Sequence, residues 1–486
     1  MEKRQCKANT VSSLNLNTMA KLFVFGIGGT GARVVKSLTM LLASGVRSNY
    51  NEIIPILIDP DRAGGDLNRT LKILKEYWGI QKELQNFEHN DFFKARILTL
   101  SEMISRKGGN TNVIDGFKFE LDGVQTDSFK DFLDFGTLDP NNKYLTSLLF
   151  SDANLNSDLE KGFKGNPNIG SVVLNQFTKS DVFEAFARNF EEEDRIFIVS
   201  SIFGGTGAAG FPLLLKNIRE GKVKGEHFDF LKNAIVGAIT VMPYFKVAAD
   251  NVSEIDSKGF ISKTKAALHY YFKNVTGNNS VNALYYVGDL VSNEYENNEG
   301  GNDQRNDAHF VELISATAIL DFANTDSNFL QTLNGRAQNP VYKEFGIREP
   351  TERVSFSSLY DETSRLIGVN LTKYFYFDLF LIEKMKNETN HPFASAYSNK
   401  FDDNFFDQTF FKTIVEFNKS FRIWLGELHR NKVGFSPFNI APITNNQNEI
   451  VDIKTDAKSI FSLVNGVKEK KNWNPLVLNN YEFCLL

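Results

Sequence analysis

The sequence has almost no cysteine: 2 in 486 residues, Cys6 and Cys484, one near each end. Two cysteines so placed supply neither a disulfide framework nor a cysteine zinc site, and they suit a reducing, intracellular setting. No apolar run reaches the roughly 20 residues that a membrane-spanning helix needs. The N-terminal stretch MEKRQCKANTVSSLNLNTMAK holds no apolar core of about 7–15 residues, so no secretory leader is read there, and a cytoplasmic protein is expected. Basic charge is not in excess either. Lys and Arg number 54 against 59 Asp and Glu, a net charge of -5, which gives a nucleic-acid partner no electrostatic support. Internal repeats and low-complexity tracts are missing. So is GxxxxGK[ST], the loop of P-loop nucleotidases.

What remains is an ordinary globular composition, 42% hydrophobic and 23% charged, in a chain long enough for two or three domains. Phenylalanine is abundant, at 44 residues, and such numbers fill cores rather than mark a site.

The most informative stretch is residues 195–216, RIFIVSSIFGGTGAAGFPLLLK. An apolar run over 196–201 meets a glycine run, then an apolar stretch with Leu213, Leu214 and Leu215. This reads as a buried parallel strand, a tight loop and the first turns of a helix. Glycines let backbone N–H groups crowd a ligand, and a helix start adds unsatisfied donors and the positive end of its dipole. The product is a phosphate site, although one such loop also serves as a plain strand-to-helix turn. The pattern recurs at residues 21–42, KLFVFGIGGTGARVVKSLTMLL, where Gly26, Gly28, Gly29, Thr30 and Gly31 follow a strand over 22–25. A third glycine-bearing segment, GFKGNPNIG, spans 162–170. Three such loops are harder to explain as turns than one.

The first helix is expected to end near Gly45. A second strand over 53–58 leads to Asp59, the opening of a doubly wound α/β domain. Gly26, Gly28 and Gly31 satisfy GxGxxG, and Asp59 stands where a dinucleotide-binding fold places its ribose acid. It lies 28 residues after Gly31, beyond the usual spacing of about 20. Residues 66–160 read as an elaboration, with helical pieces near 71–78 and 128–135 and a strand over 95–100. The acid run 191–194 reads as a solvated loop. Further strands are expected over 233–242 and 283–287, helices over 180–191 and 263–272, and an apolar helix from Asn306 to Leu320. Asp307 would sit at its N-cap or first turn. From about 335 the pattern changes to a strand over 353–359 and helices over 371–385 and 408–428.

Taken together, these motifs resemble the tubulin/FtsZ superfamily, and most closely its divergent bacterial tubulin-like branch. Residues 203–212, FGGTGAAGFP, look like that family's GGGTGTGAAP loop, with Phe203 for the first glycine and Ala208 for the second threonine. The Gly26 to Gly31 loop is similar to its GxGGxG loop, and GNPNIG at 165–170 to its GNPEVG loop. Asn306 and Asp307 resemble the pair that opens its central helix, and Asp59 matches the loop after its second strand. The likeness covers about residues 20–325, interrupted by the 66–160 insertion. It leaves 1–19 as an N-terminal extension and 335–486 as a divergent α+β or helical C-terminal domain.

The resemblance implies a doubly wound, mostly parallel Rossmann-like GTPase domain with a long central helix. GTP or GDP and Mg²⁺ would be its cofactors. Gly26, Gly28, Gly29, Thr30, Gly31, Phe203, Gly204, Gly205, Thr206 and Gly207 would hold phosphates, with Gly165 and Asn166 near the terminal one. Asp59, Pro243, Asn306 and Asp307 would complete the pocket, Asp307 reading guanine. Hydrolysis would be completed in trans by a NxDxxD loop after the central helix. Its match here is Asn324 and Asp326, with Phe329 in place of the last acid and Asp321 as a nearby substitute. Other departures are the missing ribose acid after Pro243 and Gly288 where an asparagine helps hold the base. The resemblance thus implies head-to-tail self-assembly, within a bacterial conflict or defence system. The alternatives are a non-polymerising GTP-dependent switch acting on a partner through the C-terminal half, and an NAD-dependent Rossmann enzyme.

Overall fold

The computed structural model describes residues 20–84, 91–109, 113, 115–124, 128–159, 162–163, 165–247, 257–289, 293–295, 301, 306–344, 352–383 and 406–456. The N-terminal extension, both cysteines and the end of the C-terminal half lie outside the described residues. At the centre is a parallel sheet of β1 (Lys21–Ile27), β2 (Glu52–Ile58), β3 (Arg96–Ile97), β4 (Arg195–Ser201), β5 (Ile235–Val241), β6 (Ala283–Val287) and β7 (Val341–Glu344). They lie in the order β7-β6-β5-β4-β1-β2-β3, every neighbouring pair parallel. This is the expected doubly wound α/β fold. β1 is buried at every position, because helices cover both faces of such a sheet. Leu22 and Val24 enter the core on one face, Phe23, Phe25 and Ile27 the core on the other.

The helices that matter here are α1 (Gly28–Ala43), α2 (Gly65–Leu84), α3 (Pro167–Val173), α4 (Asp181–Asn189), α5 (Gly205–Glu220), α6 (Ser257–Tyr271), α7 (Phe310–Asn324), α8 (Asp361–Glu383) and α9 (Thr409–Arg430). α1, α2, α7, α8 and α9 share one hydrophobic core, in which Val35, Tyr77, Leu320, Tyr374 and Trp424 are all buried. α3, α4 and α5 pack on the opposite face. Among the described residues no helix is long and apolar enough to cross a membrane.

Several expectations need correction. α2, at the start of the stretch 66–160, packs into the central core. Leu74 and Tyr77 are buried beneath it, and its Arg69 reaches α9. The strand over 95–100 shrinks to β3, because Thr99 caps a new helix from Leu100. The strand over 353–359 likewise keeps only Arg353–Val354 before a 3₁₀ turn. The acid run is only partly solvated: Asp194 is buried and accepts a 2.8 Å hydrogen bond from the Lys21 backbone N–H. The described residues of the C-terminal half share the core of the first helices. α8 and α9 complete the layer built by α1 and α2, and β7 extends the sheet.

α7 starts later than expected. Its N-cap is His309, not Asp307, and Glu312 closes a capping box with it. All its positions but Asp321 and Asn324 are buried, as in a helix that runs through a core. Its C-terminal end is held by Arg195 at the start of β4. Arg195 donates to Phe322 O at 2.6 Å and to Ser327 Oγ at 2.8 Å, and lies over the Tyr50 and Phe322 rings. A buried cation on the last carbonyls of a helix answers both its dipole and its open acceptors.

Arg195→Met is therefore expected to cost about 1–3 kcal/mol of stability, through two lost charge-assisted hydrogen bonds. Urea unfolding should show the lower midpoint. Arg195→Lys should recover only part of it, since one ammonium cannot span both acceptors.

Candidate functional site

Strand order reverses between β1 and β4, and the crevice beyond the strand ends at such a point is where doubly wound folds bind ligands. Both strands turn into helices there almost without a loop. β1 ends at Ile27 and α1 begins at Gly28; β4 ends at Ser201 and α5 begins at Gly205. Gly26 consequently lies inside β1, opposite Leu57 and Val199. Gly28, Gly29, Thr30 and Gly31 form the first turn of α1, and Gly204 is the N-cap of α5 ahead of Gly205, Thr206 and Gly207. Neither helix has a side-chain cap or a first-turn acid. Among the described residues no side chain caps the first N–H groups of either helix, the condition under which helix starts take up an anion or water.

The third loop closes on the other two. Gly28 takes φ +72°, and a Cβ there would lie 3.4 Å from the Thr206 side chain. A Cβ on Gly205 would lie 2.8 Å from the Asn166 backbone nitrogen. Asn166 caps α3 by accepting from Asn168 N at 3.1 Å. The three glycine segments, far apart in sequence, thus meet at one place. Sequence reasoning missed a fourth participant. Lys263 of α6 brings its ammonium to 3.2 Å from where a Cβ of Gly165 would sit, placing a cation beside the anion-type cradle. A lone lysine among several in α6 carried no signal of this.

Phe203 offers a ligand its backbone only. Its ring is buried among Tyr244, Phe245 and Phe260, at centroid distances of 6.1, 5.5 and 5.0 Å. Pro243 introduces that aromatic group directly after β5. Asp59 sits just beyond β2, accepting from Asp61 N at 3.1 Å. Burial pushes its carboxyl up to about 7, with the Asp61 carboxylate adding to the shift. Asp61 is itself engaged by Ala63 N and Gly301 N.

Behind the first loop lies a buried ionic cluster. Arg33 of α1 binds Asp66 of α2, Glu312 of α7 and the Tyr244 hydroxyl. Arg69 continues from Asp66 to Glu427 of α9, which also takes Lys36 and the Ala308 N–H. Asn306 donates to Asp66 and accepts from Arg69. Burial pushes the Asp66 carboxyl up, and Arg33 and Arg69 pull it below its ordinary value. Asp307 is gripped by a two-pronged Arg430 fork, Nε and Nη2 both at 2.6 Å. His309, buried beside Arg33, has its imidazole pushed down to about 3. It is therefore neutral, and its Nδ1 accepts from Val311 N as the cap. Its Nε2 has no hydrogen-bond partner among the described residues and lies 3.8 Å from Asp289 Oδ2.

Asn324, Asp326 and Asp321 lie elsewhere. Asp321 and Asn324 lie about 16 and 21 Å along the α7 axis from its start, and Asp326 lies just beyond its end. Asn324 accepts from Asn49 N at 2.8 Å, in the loop that enters β2. Asp326 caps a 3₁₀ turn by accepting from Asn328 N, and is exposed. Asp321 is occupied by the Tyr285 hydroxyl and the Lys343 ammonium, each at 2.6 Å. These residues cannot reach the glycine loops of their own chain.

Among the described residues no group of three or more His, Cys, Asp or Glu could by itself hold a metal ion. Mg²⁺ held mainly by phosphate oxygens and water does not require such a group.

No family pattern and no curated protein matches the chain in sequence. Solved structures do align with it. CetZ1 from Haloferax volcanii, a GDP-bound monomer, aligns at 13% identity and TM-score 0.31, over 63% of this chain and 62% of its own. CetZ2 from the same organism, a GTPγS-bound protofilament, aligns at 12% and 0.28, over 62% and 58%. TubZ from Bacillus thuringiensis serovar israelensis, a GTPγS-form protofilament, aligns at 12% and 0.26, over 72% and 69%. The chain spans about three-fifths of the two CetZ proteins. Scores this low carry no argument about function.

Because Asp59 binds its proton more tightly folded than unfolded, its contribution to stability is greatest below about pH 4 and is lost as pH rises to about 7. Asp59→Asn should remove that loss. Urea midpoints of variant and wild type, compared from pH 5 to pH 8, should diverge in the variant's favour as pH rises.

Proposed function

We propose that this chain is a tubulin/FtsZ-like GTP-binding protein that assembles head to tail and completes GTP hydrolysis at the contact between copies. One observation carries the reading. Three glycine segments converge at the strand-order reversal, where two uncapped helix starts direct their N–H groups to the same place. The backbone of Gly28 to Gly31 and of Gly204 to Gly207 would hold the α- and β-phosphates, with the Thr206 hydroxyl as a further donor. Gly165, Asn166 and Lys263 would face the terminal phosphate. Asp307 would read the two-donor edge of guanine. Mg²⁺, when bound, would neutralise charge on the transferring phosphoryl group.

The acids at the other end of α7 fit trans completion. Asp326 is exposed beyond the opposite ends of the strands, near the start of β4, so it could meet a nucleotide only on a neighbouring copy, where it would orient the attacking water. Such a contact is heterologous and propagates unless it closes into a ring.

A non-polymerising switch is favoured by two further observations. Phe329, 68% exposed, stands where the second acid belongs, and the substitute Asp321 is taken by Tyr285 and Lys343. α9 of the C-terminal half also grips the segment before α7, a route for passing a signal to a partner.

GTP hydrolysis measured against protein concentration, with pelleting in parallel, separates the readings. For the assembling GTPase, turnover per subunit climbs with concentration, protein pellets only with GTP, and Asp326→Ala stops turnover while GTP still binds. GTP binding with flat, near-zero turnover and no pellet would establish the switch instead.

A further inference from the structure

The contact between Arg430 and Asp307 has a chemical symmetry that the proposed site does not use. Arg430 lies in the last turn of α9, and its Nε and Nη2 each donate to one Asp307 oxygen at 2.6 Å. Its remaining terminal nitrogen, Nη1, donates to Asn448 O at 2.6 Å. Asn448 lies in the turn of the hairpin formed by β8 (Ile440–Thr444) and β9 (Ile450–Thr455). The N1–H and N2–H donors of guanine form a planar two-donor fork of the same kind, since guanine contains a guanidine unit. A carboxylate accepts one such fork across its two oxygens. It cannot take two in that geometry.

We propose that Arg430 is a specificity-determining latch: it occupies Asp307 as an internal stand-in for the guanine edge, and a guanine nucleotide must displace it to be read. This rests on the GTP-binding reading above. The surroundings suit a latch rather than a rigid tether. The neighbouring backbone is fixed independently, through Ala308 N to Glu427, Ala308 O to Asn431 Nδ2 and Asn306 O to Arg69. Asp307 can change partner without the segment 306–309 moving. Its carboxylate is still about one-fifth exposed, at 20%. The released Arg430 keeps its bond to the hairpin turn, so occupancy of the base site is passed to β8 and β9. ATP has no such paired donors on its base edge, so it gains nothing by displacing Arg430.

The test measures GTP and ATP affinity for the full chain, wild type and Arg430→Met, together with amide hydrogen exchange at residues 445–449. Arg430→Met should bind GTP about tenfold tighter, the equivalent of one charge-assisted fork no longer displaced, with ATP unchanged. Arg430→Lys, which keeps a cation but not the fork, should fall between the two and stands in if the methionine variant folds poorly. GTP added to wild type should speed exchange at 445–449, and should not do so in Asp307→Asn. GTP affinity that is equal or weaker in both Arg430 variants, or GTP binding that leaves exchange at the hairpin turn untouched, would overturn the latch alone. Failure of wild type and Arg430 variants to bind any nucleotide would overturn the GTP reading, and the latch with it.

Discussion

The whole arrangement depends on how closely the backbones leaving β1 and β4 approach each other. These strands are neighbours, yet their helices go to opposite faces of the sheet, so both chains must turn away within a residue or two. Side chains leave no room for that. Gly28 faces Thr206, and Gly205 faces the backbone of Asn166. The outcome is a place where two helix starts, with no side-chain cap among the described residues, lie beside the Gly165–Asn166 turn, and the Lys263 ammonium lies close to Gly165.

A second constraint is the charge buried behind this place. Arg33, Asp66, Lys36, Glu312 and Glu427 sit where Leu and Val would normally pack, with Arg33, Asp66 and Glu312 each 4% exposed or less, and the partly exposed Arg69 joins them at the rim. Taking such ions out of water costs several kcal/mol each, and breaking one pair strands its partner. The arrangement holds only when every member is in place, and its members come from α1, α2, α7 and α9. α9 of the C-terminal half is therefore tied to α1 and α2, behind the first glycine loop, by the same hydrogen bonds that keep these charges tolerable.

α7 then fixes the polarity of the molecule. Asn306 and Asp307 lead into its start behind the first glycine loop, and its end places Asn324 and Asp326 at the opposite ends of the strands. Arg195 clamps that end at the beginning of β4. The two ends of this buried helix are thereby held at a set separation.

The sequence by itself determined the strand-and-helix frame and the glycine chemistry. Continuous apolar runs such as 53–58 and 196–201 have no other comfortable place than a covered parallel strand, and glycine runs after strands permit turns that few other sequences allow. The turns at Gly26 to Gly31 and Gly204 to Gly207 were legible for that reason, because their signal is local. What only the tertiary structure decided were long-range pairings. Asp307 reads in sequence as an ordinary helix-start acid, yet a residue 123 positions away grips it, and the cap falls to His309. Lys263 is one lysine in a helix until the fold brings it to Gly165. α2 looks like the start of an insertion until Tyr77 and Arg69 are seen beneath α9. The physical reason is the same in each case. Periodicity and turn chemistry act over a few residues, whereas the partner of a buried charge is chosen by whichever distant segment the packing of the sheet and helices delivers to it.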